Sequence, residues 1–388
     1  LARLIKAGFK VAVGEQMEDP KAAKARGGSK AVVQRAIARV VTPGTLTEDS
    51  LLDPRVSNRI AALAQSVTGE AALAWADVST GDFRVSPVAA TNIAAEIAAL
   101  NPAELLVEER AFGEAALLAP NATLTPLPRA KFDPASAERQ LRDQFRVQEL
   151  TAFGDFSKPE CAALGALLDY LALSQAGAPA KLAPPRQVRA GASLAIDPAT
   201  RASLEIERTL SGSRQGSLLD AIDRTVTAPG ARRLAERLAR PLTDVATIEA
   251  RLDAIAWFER ARSHRRDLRD RLRQAGDAER ALSRLLLGRG GPRDLKGLAA
   301  ALQEGEMIAS RLLDNTLDAP PGLIADGLEA LVLGDKPDLE ALVTDLEQAI
   351  VDEPPLLARD GGFIAEGWRP ELDELRQLRD ASRRVVAG

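Results

Sequence analysis

The sequence predicts a multidomain protein in which two α/β segments precede an all-α region. At 388 residues the chain can form more than one hydrophobic core, since domains usually contain about 100–200 residues. Apolar segments separated by turn residues fill the first half, which is typical of strands and short helices. After about residue 191, apolar residues recur at helical spacing. We therefore divide the chain into residues 1–45, 46–190, 191–370 and 371–388.

The first segment, residues 1–45, is predicted to contain a helix, a strand at Val11–Val13, a basic loop and a second strand at Ala36–Val41. The turn Thr42-Pro43-Gly44 ends the second strand. This segment is too small to form a stable core alone.

Residues 46–190 are predicted to form their own α/β domain. Two strand-like segments flank Ser79-Thr80-Gly81, which is typical of a hairpin turn. A helix is expected at 90–100, followed by a break at Asn101-Pro102 and a short strand at Leu105–Val107.

The end of this domain carries a helix-start signal and a linker. Ser157 and Glu160 form a capping-box pattern before a helix with Leu164, Leu168 and Leu171 on one face. The segment Gly177–Pro185 is rich in Ala and Pro and is predicted to be a linker.

The stretch Gly216–Leu242 predicts two helices joined by a turn. Ser217 is suited to cap the first helix. Residues Thr225–Gly230 interrupt the helical spacing, and Pro241 stops a second helix that carries Leu234 and Leu238.

Three later helices are predicted from their first residues. Thr243 and Asp244 precede a helix whose apolar stripe is Ile248, Leu252, Ile255 and Phe258. Pro292 and Pro337 each stand at a first-turn position of a further helix.

Composition excludes several classes of chemistry. A single cysteine, Cys161, excludes an internal disulfide, and a single histidine, His264, argues against histidine-based catalysis and most zinc sites. We expect His264 to lie on a solvated helix face. No apolar run approaches the roughly 18 residues of a membrane span. A cytoplasmic protein is expected.

Charge is distributed unevenly along the chain. From Pro20 to Thr47 there are six Lys or Arg residues and no acid, and Glu259–Lys296 holds twelve basic against six acidic residues. From Ala300 to Asp380 the sign reverses. Two basic zones on a net charge of −4 indicate localised contact with a polyanion or solvated surfaces.

Several of these stretches, taken in order, resemble the MutS mismatch-repair family. The motifs are Val11–Gln16 with Asp19-Pro20, Arg39–Thr45, Asp77–Phe83, Asn101–Glu104, Ile196–Glu205, Gly216–Leu242, Pro292–Leu295, Asp360–Ile364 and Glu371–Arg376. The residue Gly14 departs from the cysteine that relatives often carry there.

The resemblance implies the identity of each segment. Residues 1–45 would be the end of the mismatch-recognition domain, 46–190 an RNase H-like connector, 191–370 the helical core or lever, and 371–388 the start of the clamp. Because the first residue is Leu and the last helix has no cap, we expect an internal segment of a longer protein. That parent would bind mismatched duplex DNA, form a homodimer and contact a MutL-type protein through its connector.

The resemblance also implies what this segment would lack. By the resemblance, the family's mismatch-reading Phe-x-Glu would lie N-terminal to this chain's start, and the sequence has no Gly-x-x-x-x-Gly-Lys-Ser/Thr loop to cradle ATP phosphates. We therefore expect no catalysis, no cofactor and no metal in this segment, with ATP and magnesium belonging to the parent.

Lys30, Arg35 and Arg39 are the candidate DNA-backbone-binding residues. Cationic side chains bind phosphates without reading sequence, and in the family this loop and strand lie beside DNA. The alternative is a solubilising loop in which Arg39 is paired with a carboxylate.

Three other interpretations stay open. Arg232, Arg233 and Arg237 could belong to a DNA-reading helix, although a core helix with acid-paired arginines is the simpler hypothesis. Asp77 and Asp82 could belong to a magnesium-dependent nuclease, which needs several converging carboxylates. A helical adaptor that binds only protein is the third alternative.

Overall fold

The computed structural model describes residues 1–27, 32–176, 179–313 and 319–387. Its backbone forms two compact units, Leu1–Val245 and Ala246–Gly388. The first is mixed α/β and the second is helical, so the predicted order of an α/β part followed by a helical part is confirmed.

The first unit begins with a two-stranded module. Its elements are α1 (Ala2–Lys6), β1 (Val11–Gln16), α2 (Pro20–Gly27) and β2 (Arg35–Val41). The strands pair antiparallel from Val11 opposite Val41 to Gln16 opposite Arg35, with a bulge at Val13/Gly14. Ile5, Val41 and Leu46 form a small core beneath them.

The predicted basic loop was wrong for Pro20–Gly27, which is helix α2. The Lys21 N–H donates to Asp19 Oδ1 at 2.7 Å, which satisfies one of the free amides at the helix start. Alanine, lysine and arginine then favour the helix. The strands are also longer than predicted.

A six-stranded mixed sheet forms the centre of the first unit. Its strands are β3 (Ile60–Gln65), β4 (Ala71–Asp77), β5 (Asp82–Val88), β6 (Glu104–Glu108), β7 (Thr123–Leu127) and β8 (Arg186–Gln187). The order is β7-β6-β3-β4-β5-β8. Strands β3, β4 and β5 are antiparallel, whereas β6, β7 and β8 each pair in parallel with a neighbour. The hairpin at Ser79-Thr80-Gly81 is confirmed, with Gly81 at φ 78°.

Helices cover both faces of this sheet. They are α3 (Ile93–Leu100), α4 (Phe112–Leu118), α5 (Pro134–Phe145) and α6 (Lys158–Ser174). Alanine-rich strand faces let α6 pack closely on one side, while α3 and α4 cover the other. The capping box of Ser157 and Glu160 is confirmed, and Asn101 ends α3 with φ 45°. The end of the predicted linker, 179–185, has no helix or strand.

The remainder of the first unit is only partly helical, contrary to the expectation for residues after 191. It contains α7 (Pro198–Ser203), α8 (Leu218–Ile222) and α9 (Ala228–Ala239). Side-chain-to-backbone bonds stabilise turns between α7 and α8, such as that from the Leu210 N–H to Glu205 Oε1 at 2.7 Å. Ser217 caps α8 as predicted. Helix α9 starts inside the predicted break, because Thr227 caps it and proline is favourable in a first turn.

The second unit is built around a long helix. The seven helices described here are α10 (Val245–Arg260), α11 (Arg262–Leu272), α12 (Ala278–Leu286), α13 (Pro292–Leu313), α14 (Gly322–Glu329), α15 (Pro337–Ala349) and α16 (Pro370–Ala387). Trp257 packs with Ile308, Ala309 and Leu312 of α13. In the described ranges, no helix has both the length and the apolar character needed to cross a membrane.

Two predictions about this unit were wrong. On α10 the buried anchor is Trp257, while Leu252 and Ile255 of the predicted stripe are 56% and 63% exposed. His264 is half-buried, because its ring stacks on Trp257 with centroids 6.1 Å apart. On α10 the large indole of Trp257 fills the core position that was predicted for Leu252 and Ile255.

Candidate nucleic-acid interface and interdomain joint

The exposed cations of the two-stranded module lie on α2 and at the start of β2. Arg35 begins β2, opposite Gln16, and its side chain is exposed. Lys21 and Lys24 are exposed on α2. Among the described ion pairs none involves these three cations. Each of the three can therefore bind a polyanion without first breaking an ion pair with a described residue.

The other cations of this zone differ. Arg39 forms an ion pair with Glu48, and its side chain is 18% exposed. Burial would raise the pKa of Glu48, but the charge and hydrogen bond of Arg39 outweigh it and lower that pKa. Arg26 pairs with Glu18 at 2.8 Å. Lys30 lies outside the described residues. The structure thus distinguishes an exposed Arg35 from a paired Arg39.

A buried carboxylate joins this module to the sheet. Glu104 at the start of β6 is completely buried. Its Oε2 accepts hydrogen bonds from the Thr42 hydroxyl and, at 3.2 Å, from the Gly44 N–H. Thr42 and Gly44 follow directly on β2, so the exit of the module is fixed to the sheet at this point.

The second oxygen of Glu104 extends the same cluster. Its Oε1 accepts from Thr125 Oγ1 on β7 and from the Tyr170 hydroxyl on α6, both at 2.6 Å. Lys10, just before β1, lies 3.7 Å from the same oxygen and donates to Thr125 Oγ1 at 2.9 Å. Burial, with the carboxylate of Glu104, raises the pKa of Tyr170, so its hydroxyl stays a donor. We call these residues the Glu104 cluster.

A second buried carboxylate joins the segment before the sheet to the α8–α9 turn. Asp223 Oδ2 accepts from Arg55 at 2.7 Å and from Arg214. Its Oδ1 accepts from the Thr225 N–H and hydroxyl, at 3.0 and 2.6 Å. Burial alone would raise the pKa of Asp223, but the hydrogen bonds from Thr225 and Arg55 hold it well below its usual range.

Helix α9 contacts the sheet and α3 through further arginines. Arg84 on β5 donates to Glu236 at 2.7 Å. Arg240, just after α9, pairs with Glu96 of α3 at 2.8 Å and lies over the ring of Trp75 on β4, 4.9 Å from its centroid. The segment Gly216–Leu242 is therefore a joint against the sheet, which agrees with its interpretation as a structural motif.

The arginines of α9 are engaged within the first unit. Arg232 is 6% exposed and donates to the Pro54 carbonyl at 2.9 Å. Arg233 pairs with Glu236, and Arg237 has a partner as well. A buried Arg232 argues against a DNA-reading surface on this helix. The partners of Arg232 and Arg233 lie in the first unit and not in the acidic 300–380 zone.

The two carboxylates of the nuclease hypothesis hold the hairpin. Asp77 Oδ1 accepts from the N–H and hydroxyl of Ser79, at 3.0 and 2.6 Å, and its Oδ2 accepts from the Asn58 N–H at 3.0 Å. Asp82 pairs with Arg84 at 2.9 Å. Within the described ranges, no three His, Cys, Asp or Glu residues are grouped so that they could hold a metal ion. Burial raises the pKa of Cys161 to about 11, so it is a neutral thiol near pH 7.

Comparison with known protein families gives three matches in chain order. MutS domain I matches residues 1–50, MutS domain II matches 58–183 and MutS domain III matches 199–387. The chain belongs to the MutS family. The predicted resemblance is confirmed.

Individual relatives in the MutS family align over the whole chain. The DNA mismatch repair protein MutS of Cereibacter sphaeroides is 51% identical over 388 residues, which are 100% of this chain and 43% of the relative. The proteins of that name from Caulobacter vibrioides and Nitrobacter hamburgensis are 50% and 48% identical, again over all of this chain and 43% of theirs. The chain thus spans less than half the length of these MutS relatives.

The domain matches show what the buried carboxylates connect. Glu104 lies in the MutS domain II match and binds Thr42 and Gly44 of the domain I match. Asp223 lies in the MutS domain III match and binds Arg55, between the first two matches. Sequence reasoning missed both roles, because their partners are remote in sequence.

Proposed function

We propose that this chain is the part of a DNA mismatch repair protein that contacts duplex DNA and transmits that contact to its helical region. The observation that carries the proposal is the exposed cation of Arg35, which has no ion pair with a described residue, on a module that the Glu104 cluster fixes to the sheet. Membership in the MutS family supplies mismatched duplex DNA as the ligand.

Contact with the DNA backbone is supported by charge and exposure. Arg35, Lys21 and Lys24 are exposed, and the sequence from Pro20 to Thr47 contains no acid. The nearby carboxylate of Glu18, which accepts from the Gln34 N–H, is paired with Arg26. Each such contact releases counterions and carries no sequence information. Arg39 contributes less than Arg35, because its charge is already paired with Glu48. Lys30, predicted from its place in the basic zone, stays part of the proposal.

Transmission is supported by the buried charged joints. If the two-stranded module moves, either the hydrogen bonds from Thr42 and Gly44 to Glu104 break or the sheet moves with the module. On the other side of the sheet, Arg84 and Arg240 hold α9. A hydrogen bond to a charged group contributes about 1.5–3 kcal/mol, so the several bonds of each joint together favour movement as connected blocks. In the whole protein this coupling would contribute to movement of the DNA clamp.

Other properties follow from the family and are part of the proposal. The sheet-containing part would be an RNase H-like connector that binds a MutL-type protein, the helical part a lever, and the whole protein a homodimer. ATP binding and hydrolysis with magnesium would belong to a domain outside this segment, since the sequence has no phosphate-binding loop of the Gly-x-x-x-x-Gly-Lys-Ser/Thr type. The segment itself would not be catalytic, and the protein would act at the nucleoid.

The test is the affinity of the chain for a fluorescein-labelled duplex, with and without one mismatch, measured by anisotropy. Arg35→Ala is expected to weaken binding of both duplexes to a similar degree, by about threefold to tenfold, because phosphate contacts are independent of sequence. The matched control is Arg129→Ala, an exposed arginine of the sheet-containing part.

Equal affinities for Arg35→Ala and the control would overturn the phosphate contact. A chain that binds no duplex at any salt concentration would favour the adaptor hypothesis. Magnesium-dependent cleavage of the duplex that is lost in Asp77→Asn would instead support the nuclease.

A further inference from the structure

The second basic zone, Glu259–Lys296, plays no part in the function proposed above. The structure divides its cations into two groups. Those from Arg269 onward have partners, among them Arg271 with Glu304, Arg273 with Asp270, Arg284 with Asp294, Arg293 with the Pro354 carbonyl and Lys296 with Asp352. These charges stabilise the second unit.

Four arginines where α10 ends and α11 begins form the other group. Arg260, Arg262, Arg265 and Arg266 are exposed. Arg265 donates to the Phe258 carbonyl at 3.3 Å, and none of the four has an ion pair with a described residue. Glu259 is the only acid between residues 254 and 266. We call these four residues the arginine face.

The arginine face is held outward by the opposite side of α11. His264 stacks on Trp257, and Leu268 and Leu272 pack against the core of the second unit. Arg262 and Arg266 are spaced i and i+4 and lie on the side of α11 away from Leu268 and Leu272, so the core sets their outward direction. Arg265 stands three residues before Leu268, at the edge of this face, where it donates to the Phe258 carbonyl.

These arginines stand where the helix itself disfavours them. The start of a helix carries a partial positive charge and prefers acids, yet the first turn of α11 has no acid, and Ala261 provides no side-chain cap. Local stability is lowered by this choice of residues. Such exceptions to local rules are expected at functional sites. A bound anion would offset the repulsion between these arginines and the positive end of the helix.

We propose that the arginine face is a second binding site for the phosphate backbone of duplex DNA. Arginine binds phosphate through a planar pair of N–H groups. The first unit supplies DNA as the polyanion, so the inference rests on the proposed function.

The surroundings of the arginine face favour a nucleic acid over an acidic protein. Protein interfaces are anchored by apolar or aromatic side chains. Among the described residues of α11 itself no large apolar side chain is exposed, and the exposed Leu252 and Ile255 lie farther back, on α10. On α11, a group of exposed cations without an apolar anchor among them fits a backbone of regular charge.

The experiment compares two triple variants with the same change in charge. The test variant is Arg262→Gln, Arg265→Gln and Arg266→Gln, and the control is Arg129→Gln, Arg139→Gln and Arg189→Gln, whose arginines are exposed in the first unit. Anisotropy with a labelled duplex is measured over a series of salt concentrations. The test variant is expected to bind at least about fivefold more weakly, with a salt slope smaller by about two to three.

Two further variants make the result specific. Replacing the same three arginines by lysine keeps the charge, so it should restore most of the affinity and the slope. Thermal unfolding of the glutamine variant should be equal to or slightly above that of the unsubstituted chain, because the three side chains are exposed and the start of α11 no longer carries their charge.

The outcomes separate this inference from the proposed function. If Arg35→Ala weakens binding while the test variant behaves like the control, the arginine face is not a DNA site and the proposed function stands. If neither changes binding, both are overturned. Loss of binding to polyglutamate with unchanged binding to DNA would show an acidic protein partner instead and overturn the inference.

Discussion

The guanidinium of Arg240 lies over the indole ring of Trp75, 4.9 Å from its centroid, and pairs with Glu96 at 2.8 Å. Trp75 is 3% exposed. This contact joins the end of α9 to the sheet and α3 through one side chain.

Replacing Arg240 by alanine should destabilise the first unit by about 3 kcal/mol, because it leaves Glu96 without its partner in a half-buried place. Urea unfolding followed by circular dichroism measures this. The control is Arg273→Ala, which breaks the exposed pair with Asp270 and should change the free energy of unfolding by no more than about 0.5 kcal/mol. Equal effects would show that neither the Glu96 pair nor the Trp75 contact stabilises the first unit.

Acid should weaken the joint at Asp223. The pKa of Asp223 is lowered in the folded state, so its contribution is complete above the unfolded pKa of about 3.9 and is lost as pH falls below that value. Unfolding temperatures measured between pH 6 and pH 2 should therefore fall more steeply below pH 4 in the unsubstituted chain than in Asp223→Asn. Parallel curves for the two proteins would contradict the role of this carboxylate.

Replacing Glu104 by glutamine should loosen the two-stranded module. An amide NH₂ in place of Oε2 would face the Gly44 N–H, and in place of Oε1 it would face Lys10. Either orientation sets donor against donor, so a loss of about 3 kcal/mol is expected.

Hydrogen exchange of the β1 and β2 amides measures the effect of the Glu104 change. It should accelerate in Glu104→Gln and much less in Tyr170→Phe, which removes one bond worth about 1 kcal/mol. Unchanged exchange in Glu104→Gln would show that the module is held elsewhere.

Packing of α5 on α6 depends on Gly165. A Cβ at this position would lie 2.3 Å from the Cβ of Ala137, so Gly165→Ala should force the helices apart at a cost of about 1–3 kcal/mol. The control is Gly113→Ala in α4, where a Cβ meets nothing within 4 Å. That change should leave stability unchanged or raise it by about 0.5–1 kcal/mol. Thermal unfolding compares the two, and a neutral Gly165→Ala would contradict the close approach.

Local signals in the sequence predicted local structure well. The capping box at Ser157, the turn at Ser79-Thr80-Gly81 and the helix starts at Pro292 and Pro337 are all confirmed. Each depends on residues within one turn of the chain, where side-chain chemistry and φ limits decide the conformation.

Contacts between remote residues could not be predicted in this way. The partners of Glu104 lie on either side of it in sequence, and the fold alone brings Thr42 and Tyr170 together. For the candidate site, the sequence composition indicated the basic zone. Only the structure shows that Arg35 is exposed, whereas Arg39 is largely buried and paired with Glu48. The basic helix α2 was missed because charge and Gly-Gly suggested a loop.

The most direct test of the account is the salt dependence of duplex binding by Arg35→Ala. The logarithm of the binding constant is plotted against the logarithm of salt concentration for this variant, the unsubstituted chain and Arg129→Ala. Loss of one phosphate contact should reduce the slope by about one for Arg35→Ala alone. A slope identical in all three proteins would contradict contact between Arg35 and the DNA backbone.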